Sequence, residues 1–198
     1  MKILLATADR DLLNGYKNLL EFDGHKVSTA FDGVQTLKAL SESRPDIAII
    51  ENNIPRADTG RILEYSAESR VPSVVLKKDG VTVKTLLQKP LACSYLAFPF
   101  FPEELIKTIT DVTNNAASGE KIVLGSVEID ISEFRMTTGI PLTSEEINII
   151  VGISRGDVVS AEKAGIYVEA INLKLQKADA DKKITYVVNE GYKVVDAK

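Results

Sequence analysis

Short apolar runs and stretches of helical periodicity alternate through the first half of the chain. Ile3-Leu4-Leu5-Ala6 is a continuous apolar run of strand length, and apolar residues then recur at helical spacing from Asp11 to Phe22. His25 to Ala30 reads as a second strand, Gly33 to Ser43 as a second helix, and Ile47-Ala48-Ile49-Ile50 as a third, buried strand. Val74-Val75-Leu76 and Tyr95-Leu96-Ala97 predict strands four and five. A last helix covers Pro102 to Val112, with proline in its favoured first turn. Fully apolar strands alternating with helices predict an α/β doubly wound, five-stranded parallel sheet over residues 1–113. Any site in such a sheet lies at the carboxyl ends of the strands.

The pattern then breaks. Thr113 to Gly119 is small and polar without periodicity, so residues 114–120 read as a linker. Residues 121–198 have a different grammar. Three short strand-like pieces (Lys121–Leu124, Val127–Ile131, Phe134–Thr137) precede two helical stretches. Thr143 with Glu146 three residues on has capping-box spacing and starts a helix to about Ser154. A second stretch covers Ala161 to Ala178. The chain ends in a hairpin, Ile184–Val188 and Tyr192–Val195 around a turn at Asn189-Glu190-Gly191. Strands, helices and a terminal hairpin predict a small α+β winged helix.

Composition narrows the chemistry. No apolar run approaches the ~20 residues of a membrane helix, and MKILLATADR is not a signal-peptide pattern, so a cytoplasmic protein is expected. One cysteine, Cys93, excludes an internal disulfide framework and a multi-cysteine metal site. One histidine, His25, argues against a His-ligated zinc centre or a Ser-His-Asp triad. No enzyme, no metal site and no cofactor is therefore expected. The formal charge is −4, so any nucleic-acid contact has to come from a local patch.

With these elements in place, the order and spacing of several short motifs resemble a bacterial response regulator of the OmpR/PhoB type, a receiver domain followed by a winged-helix domain. The likeness rests on Lys2-Ile3-Leu4-Leu5, Arg44-Pro45-Asp46-Ile47, Ile54-Pro55 with Gly60, Val71-Pro72, and Tyr95 to Phe100. In the second half it rests on Gly139 to Glu146, Gly156 to Ser160, and Ile184 to Tyr192. The resemblance implies a phosphoacceptor aspartate after strand three, a Mg2+ held by an acidic pair after strand one, and a Lys and a Thr that follow the phosphoryl oxygens. In this sequence the acceptor position is Glu51 and the acidic pair falls on Thr7 and Ala8, followed by Asp9. The Thr position is Lys77 and the Lys position is Phe98. Phosphotransfer and Mg2+ binding are therefore not expected. Asp9 reads as a helix N-cap. Glu51 and Lys77 both end strands near the mouth of the sheet, either paired, which would put a fixed contact where the family has a switchable one, or separately solvated. Tyr95 reads as packing.

The resemblance makes DNA the expected partner of the second half, with the helix around Ile166–Lys177 entering the major groove. Val168, Ile171, Leu175 and Ala178 read as its apolar face, and Asn172, Lys174, Gln176 and Lys177 as its reading face; Lys182 and Lys183 at the hairpin entrance read as phosphate contacts. Only eight positions separate Ser160 from Val168, so the supporting helix of a winged helix is very short or fused with the next. The leading expectation is a phosphorylation-independent transcription regulator. The alternative is a protein-interaction module in which both halves have lost their ancestral chemistry, with a homodimer or another protein as partner.

Overall fold

The computed structural model describes the chain except Pro90, Leu91, Val158, Ser160, Asn189 and Lys198, and except the side chains of residues 161–163. Asn189 of the hairpin turn, Val158 and Ser160 of the Gly156–Ser160 motif, and Pro90 and Leu91 before strand five lie outside the described residues. The chain packs as two compact units, Met1–Val81 with Ala92–Thr113, and Thr82–Leu91 with Asn114–Lys198.

In the first unit, β1 (Lys2–Ala6), β2 (Lys26–Ala30), β3 (Ile47–Glu51), β4 (Ser73–Lys77) and β5 (Ser94–Ala97) form a parallel sheet in the order β2-β1-β3-β4-β5. Ile3 to Ala6 and Ile47 to Ile50 are fully buried, as strands covered on both faces must be. Helices α1 (Arg10–Phe22), α2 (Gly33–Ser43) and α3 (Thr59–Glu68) are capped by Asp9, Asp32 and Asp58, whose carboxylates accept from backbone N–H groups of the first turn. His25 precedes β2, its Nε2 3.1 Å from Asp23.

The loop after β3 is pinned to the start of α2. Gly33 N–H donates to the Pro55 carbonyl at 2.8 Å, and a Cβ on Gly33 would lie 2.3 Å from that of Ala57, so only glycine permits this approach. Arg56 donates to Asp32 across the same junction at 3.2 Å. The loop leaving the acceptor-position strand is thereby held by backbone, packing and charge together.

The second unit contains α6 (Ser144–Arg155) and α7 (Ala161–Lys177), a three-stranded antiparallel sheet and a hairpin. The sheet strands are β6 (Lys121–Leu124), β7 (Val127–Asp130) and β8 (Arg135–Met136); the hairpin pairs β9 (Lys182–Val187) with β10 (Gly191–Asp196). The Thr143–Glu146 capping box forms, and Gly156 ends α6 with φ 85°.

One sequence expectation is corrected. Residues 114–118 are the end of α5 (Pro102–Ser118) and not a loop, because Asn115 Nδ2 donates to Ser144 Oγ (2.8 Å) and Asn148 Oδ1 (3.2 Å), tying the last turns to α6. The segment between β4 and β5 yields only a four-residue helix, α4 (Val83–Leu86), capped by Thr82 and rich in β-branched residues. By packing, this segment belongs to the second unit, where α4 lies against α7.

Candidate functional site

The mouth of the parallel sheet is built from the ends of β1, β3, β4 and β5. Glu51 closes β3 and is buried, with one carboxylate oxygen for each of two partners. Thr7 Oγ1, just past β1, donates to Oε2 at 2.5 Å, and Lys78 Nζ, just past β4, lies 3.0 Å from Oε1. The Asp9 N–H donates back to Thr7 Oγ1 at 3.1 Å, so the hydroxyl is oriented from behind. The Lys78 side chain stays 66% exposed while that of Glu51 is 10% exposed. Glu51, by its hydrogen bond and then its charge, holds the Lys78 ammonium above its ordinary value, with Asp9 adding to the same effect.

The pairing candidate read from the sequence, Lys77, is therefore replaced by its neighbour. Lys77 is the last residue of β4, half-buried, with its carbonyl accepting from the Phe98 N–H at 2.8 Å. Successive strand side chains point to opposite faces, so Lys77 and Lys78 cannot both reach Glu51. Lys78 was missed, although the Lys77-Lys78 doublet was the signal that a cation would reach the mouth on either phase.

Ala8 offers no polar atom, and Asp9 spends Oδ1 on the Asp11 and Leu12 N–H groups. A hydroxyl, a methyl and a capping carboxylate do not fit a divalent cation of the Mg2+ type, which takes carboxylate oxygens and water. Among the described residues, no cluster of three or more His, Cys, Asp or Glu side chains forms a metal site. Phe98 stands at the fourth wall. Its ring lies 4.7 Å from that of Phe100, which stacks on Tyr16 at 5.4 Å. This wall is aromatic and carries no cation. Tyr95 is buried and its hydroxyl accepts from the Ala92 N–H at 3.3 Å.

In the second unit the structure redistributes the residues read as a DNA-facing set. Asn172 is turned inward as a two-point clamp, Oδ1 accepting from the Ile184 N–H and Nδ2 donating to the Ile184 carbonyl, both at 2.8 Å. Lys174 is buried, its Nζ 2.7 Å from Glu146 Oε2. Both are corrections to the helical-face reading. Lys174 follows Ala170 by four residues and Ile171 by three, which puts it on the buried face beside them. Burial pulls Glu146 up and Lys174 down, each toward its neutral form. Lys182 is paired with Asp196 across the hairpin. Gln176, Lys177 and Lys183 are exposed.

No family model matches the chain. Among curated proteins it is 27% identical over 160 residues to the transcriptional regulatory protein PrrA of Mycobacterium leprae, covering 75% of this chain and 69% of that one. It is 31% identical over 164 residues to the DNA-binding response regulator MtrA of Mycolicibacterium smegmatis, covering 78% and 71%. Among solved structures, a mutant of RitR matches with a TM-score of 0.68 and 17% identity over 99% of both chains, a likeness of fold. A response regulator receiver domain from Clostridium thermocellum matches 57% of this chain and 94% of its own, with a TM-score of 0.52 and 27% identity. With the receiver sheet order in the first unit and a MtrA likeness that spans both units, the chain belongs to the OmpR/PhoB-type response regulators.

Proposed function

We propose that this protein is a phosphorylation-independent response regulator of the cytoplasm that controls transcription, with the second unit contacting DNA. The observation that carries the first part is the double occupation of Glu51. Its two oxygens are already engaged by Thr7 and Lys78, so the acceptor position is occupied by an internal hydrogen bond and ion pair. Glutamate is also one methylene longer than the aspartate that in-line transfer uses, and the donor set beside it does not suit Mg2+. The DNA part is supported by the DNA-binding and transcriptional relatives and by the exposed Gln176, Lys177 and Lys183. Gln can read adenine edges, and Lys can read guanine or hold phosphate.

The test is fluorescence anisotropy of the purified chain on mixed-sequence duplex DNA at two salt concentrations, with and without acetyl phosphate and Mg2+. Salt-sensitive binding that the phosphodonor does not alter is the expected result. A rise in affinity with the phosphodonor would overturn phosphorylation independence. Absence of binding at low salt would favour a second reading, a protein-interaction module. That reading is supported by the inward turn of Asn172 and Lys174, which leaves Gly165, Ile166 and Glu169 among the exposed residues of α7.

A further inference from the structure

The second unit is built from two chain segments. Only four positions separate Gly156, which ends α6, from Ala161, which begins α7. The third helix packed in this unit is α4, contributed by residues 82–91. Thr85 and Leu86 are buried, while Lys84 and Lys89 of the same segment are exposed. The segment therefore has an inner face that packs and an outer face that is basic.

Among the described side chains of this unit, several cations already have a carboxylate partner. Lys174 is held by Glu146, Lys182 by Asp196, Lys193 by Glu190, Lys121 by Glu128, Arg135 by Glu133 and Arg155 by Glu120. Among the described side chains of the unit, the cations without an ion pair are Lys84, Lys89, Lys177 and Lys183. Two of these four unpaired, described lysines thus come from the α4 segment. An exposed lysine that neutralises a backbone phosphate releases a condensed counterion.

We propose that the α4 segment is a working part of the nucleic-acid-binding unit, with Lys84 and Lys89 as contacts to the DNA phosphate backbone. This rests on the DNA reading above and adds residues that the winged-helix likeness alone does not supply. The contacts are sequence-independent; they set affinity and salt dependence and leave base preference unchanged.

The experiment compares the full chain with its K84A/K89A, K84R/K89R and K38A/K107A variants by anisotropy on mixed-sequence duplex DNA over a salt series. K84A/K89A is expected to lower the slope of log affinity against log salt by about 2, one for each phosphate contact. K84R/K89R keeps the slope, and K38A/K107A, which removes two lysines of the first unit, leaves it as in the unaltered chain. An unchanged slope in K84A/K89A would overturn the proposal while leaving DNA binding intact, and so would a loss in K84R/K89R equal to that in K84A/K89A. Failure of the unaltered chain to bind at low salt would overturn the DNA reading itself, and this proposal with it.

Discussion

Both units contain a glutamate held by a lysine, and the two pairs behave as different objects. At the sheet mouth, Glu51 is nearly buried but its partner Lys78 stands two-thirds in solvent, and Thr7 satisfies the second oxygen. In the second unit, Glu146 and Lys174 are 0% and 3% exposed, and only one glutamate oxygen is engaged, accepting from both Lys174 and the Thr143 N–H. Glu146 Oε1 is buried without a hydrogen-bond partner. The first pair is a solvent-screened cap over an acceptor position, which water can replace. The second is a fully desolvated contact, whose single members cannot be removed without stranding the other. The same two residue types therefore set a chemical state in one place and hold two helices together in the other.

The largest break in this comparison is Lys174→Met. It leaves the Glu146 carboxyl buried without its cation and should cost about 3–5 kcal/mol, read as lost amide-exchange protection in α6 and α7. The double variant K174M/E146Q should recover most of that loss; if it is as damaging as the single change, the pair is not what matters there. Asn172→Ala strands the Ile184 N–H and carbonyl and should cost about 1–3 kcal/mol by urea denaturation, with exchange rising first in β9.

Thr7→Val tests the mouth from the buried side. It removes the hydroxyl from Glu51 and should cost about 1–3 kcal/mol, confined to the first unit. Lys78→Ala, by contrast, should lower the denaturation midpoint only slightly, because water takes over most of the exposed ammonium's place. A large loss of stability in that variant would show the two pairs to be energetically alike.

The pairs also differ in their response to pH. Lys78 is raised above 10.5 by Glu51, so the stability it contributes is fully present below that value and is lost only as pH rises through the higher folded value. Glu146 is raised above 4.5 by burial, so the folded chain keeps a proton that the unfolded chain loses. Stability of the second unit should fall as pH rises from 4.5 through that window, and K174M/E146Q should abolish this fall. Denaturation midpoints at closely spaced pH values check the sign.

Much of the fold was legible because both-face burial writes itself as unbroken apolar runs. Ile3–Ala6 and Ile47–Ile50 need no partner information to be read as central strands. The capping box at Thr143 was legible for the same local reason. What escaped was non-local. Lys174 was assigned outward by its polarity, although its spacing from Ala170 and Ile171 placed it inward; only the Glu146 carboxyl, 28 residues away, makes that burial tolerable. Asn114–Ser118 lacks apolar periodicity, and its helical state depends on Asn115 meeting Ser144 and Asn148. The membership of α4 in the second unit leaves no periodic trace in four residues. At the mouth, the positions replaced in Thr7, Ala8, Glu51 and Phe98 were readable from spacing, whereas the choice of Lys78 over Lys77 follows from strand alternation at the last residue of β4.

The central claim is that Glu51 is engaged from within by Thr7 and Lys78 and does not accept a phosphoryl group. Intact-mass measurement after incubation with acetyl phosphate and Mg2+ tests it most directly, with a K78A/T7V variant alongside. The account predicts no phosphoryl adduct on the unaltered chain. An acid-labile phosphoryl adduct mapped to Glu51 in the unaltered chain would contradict it.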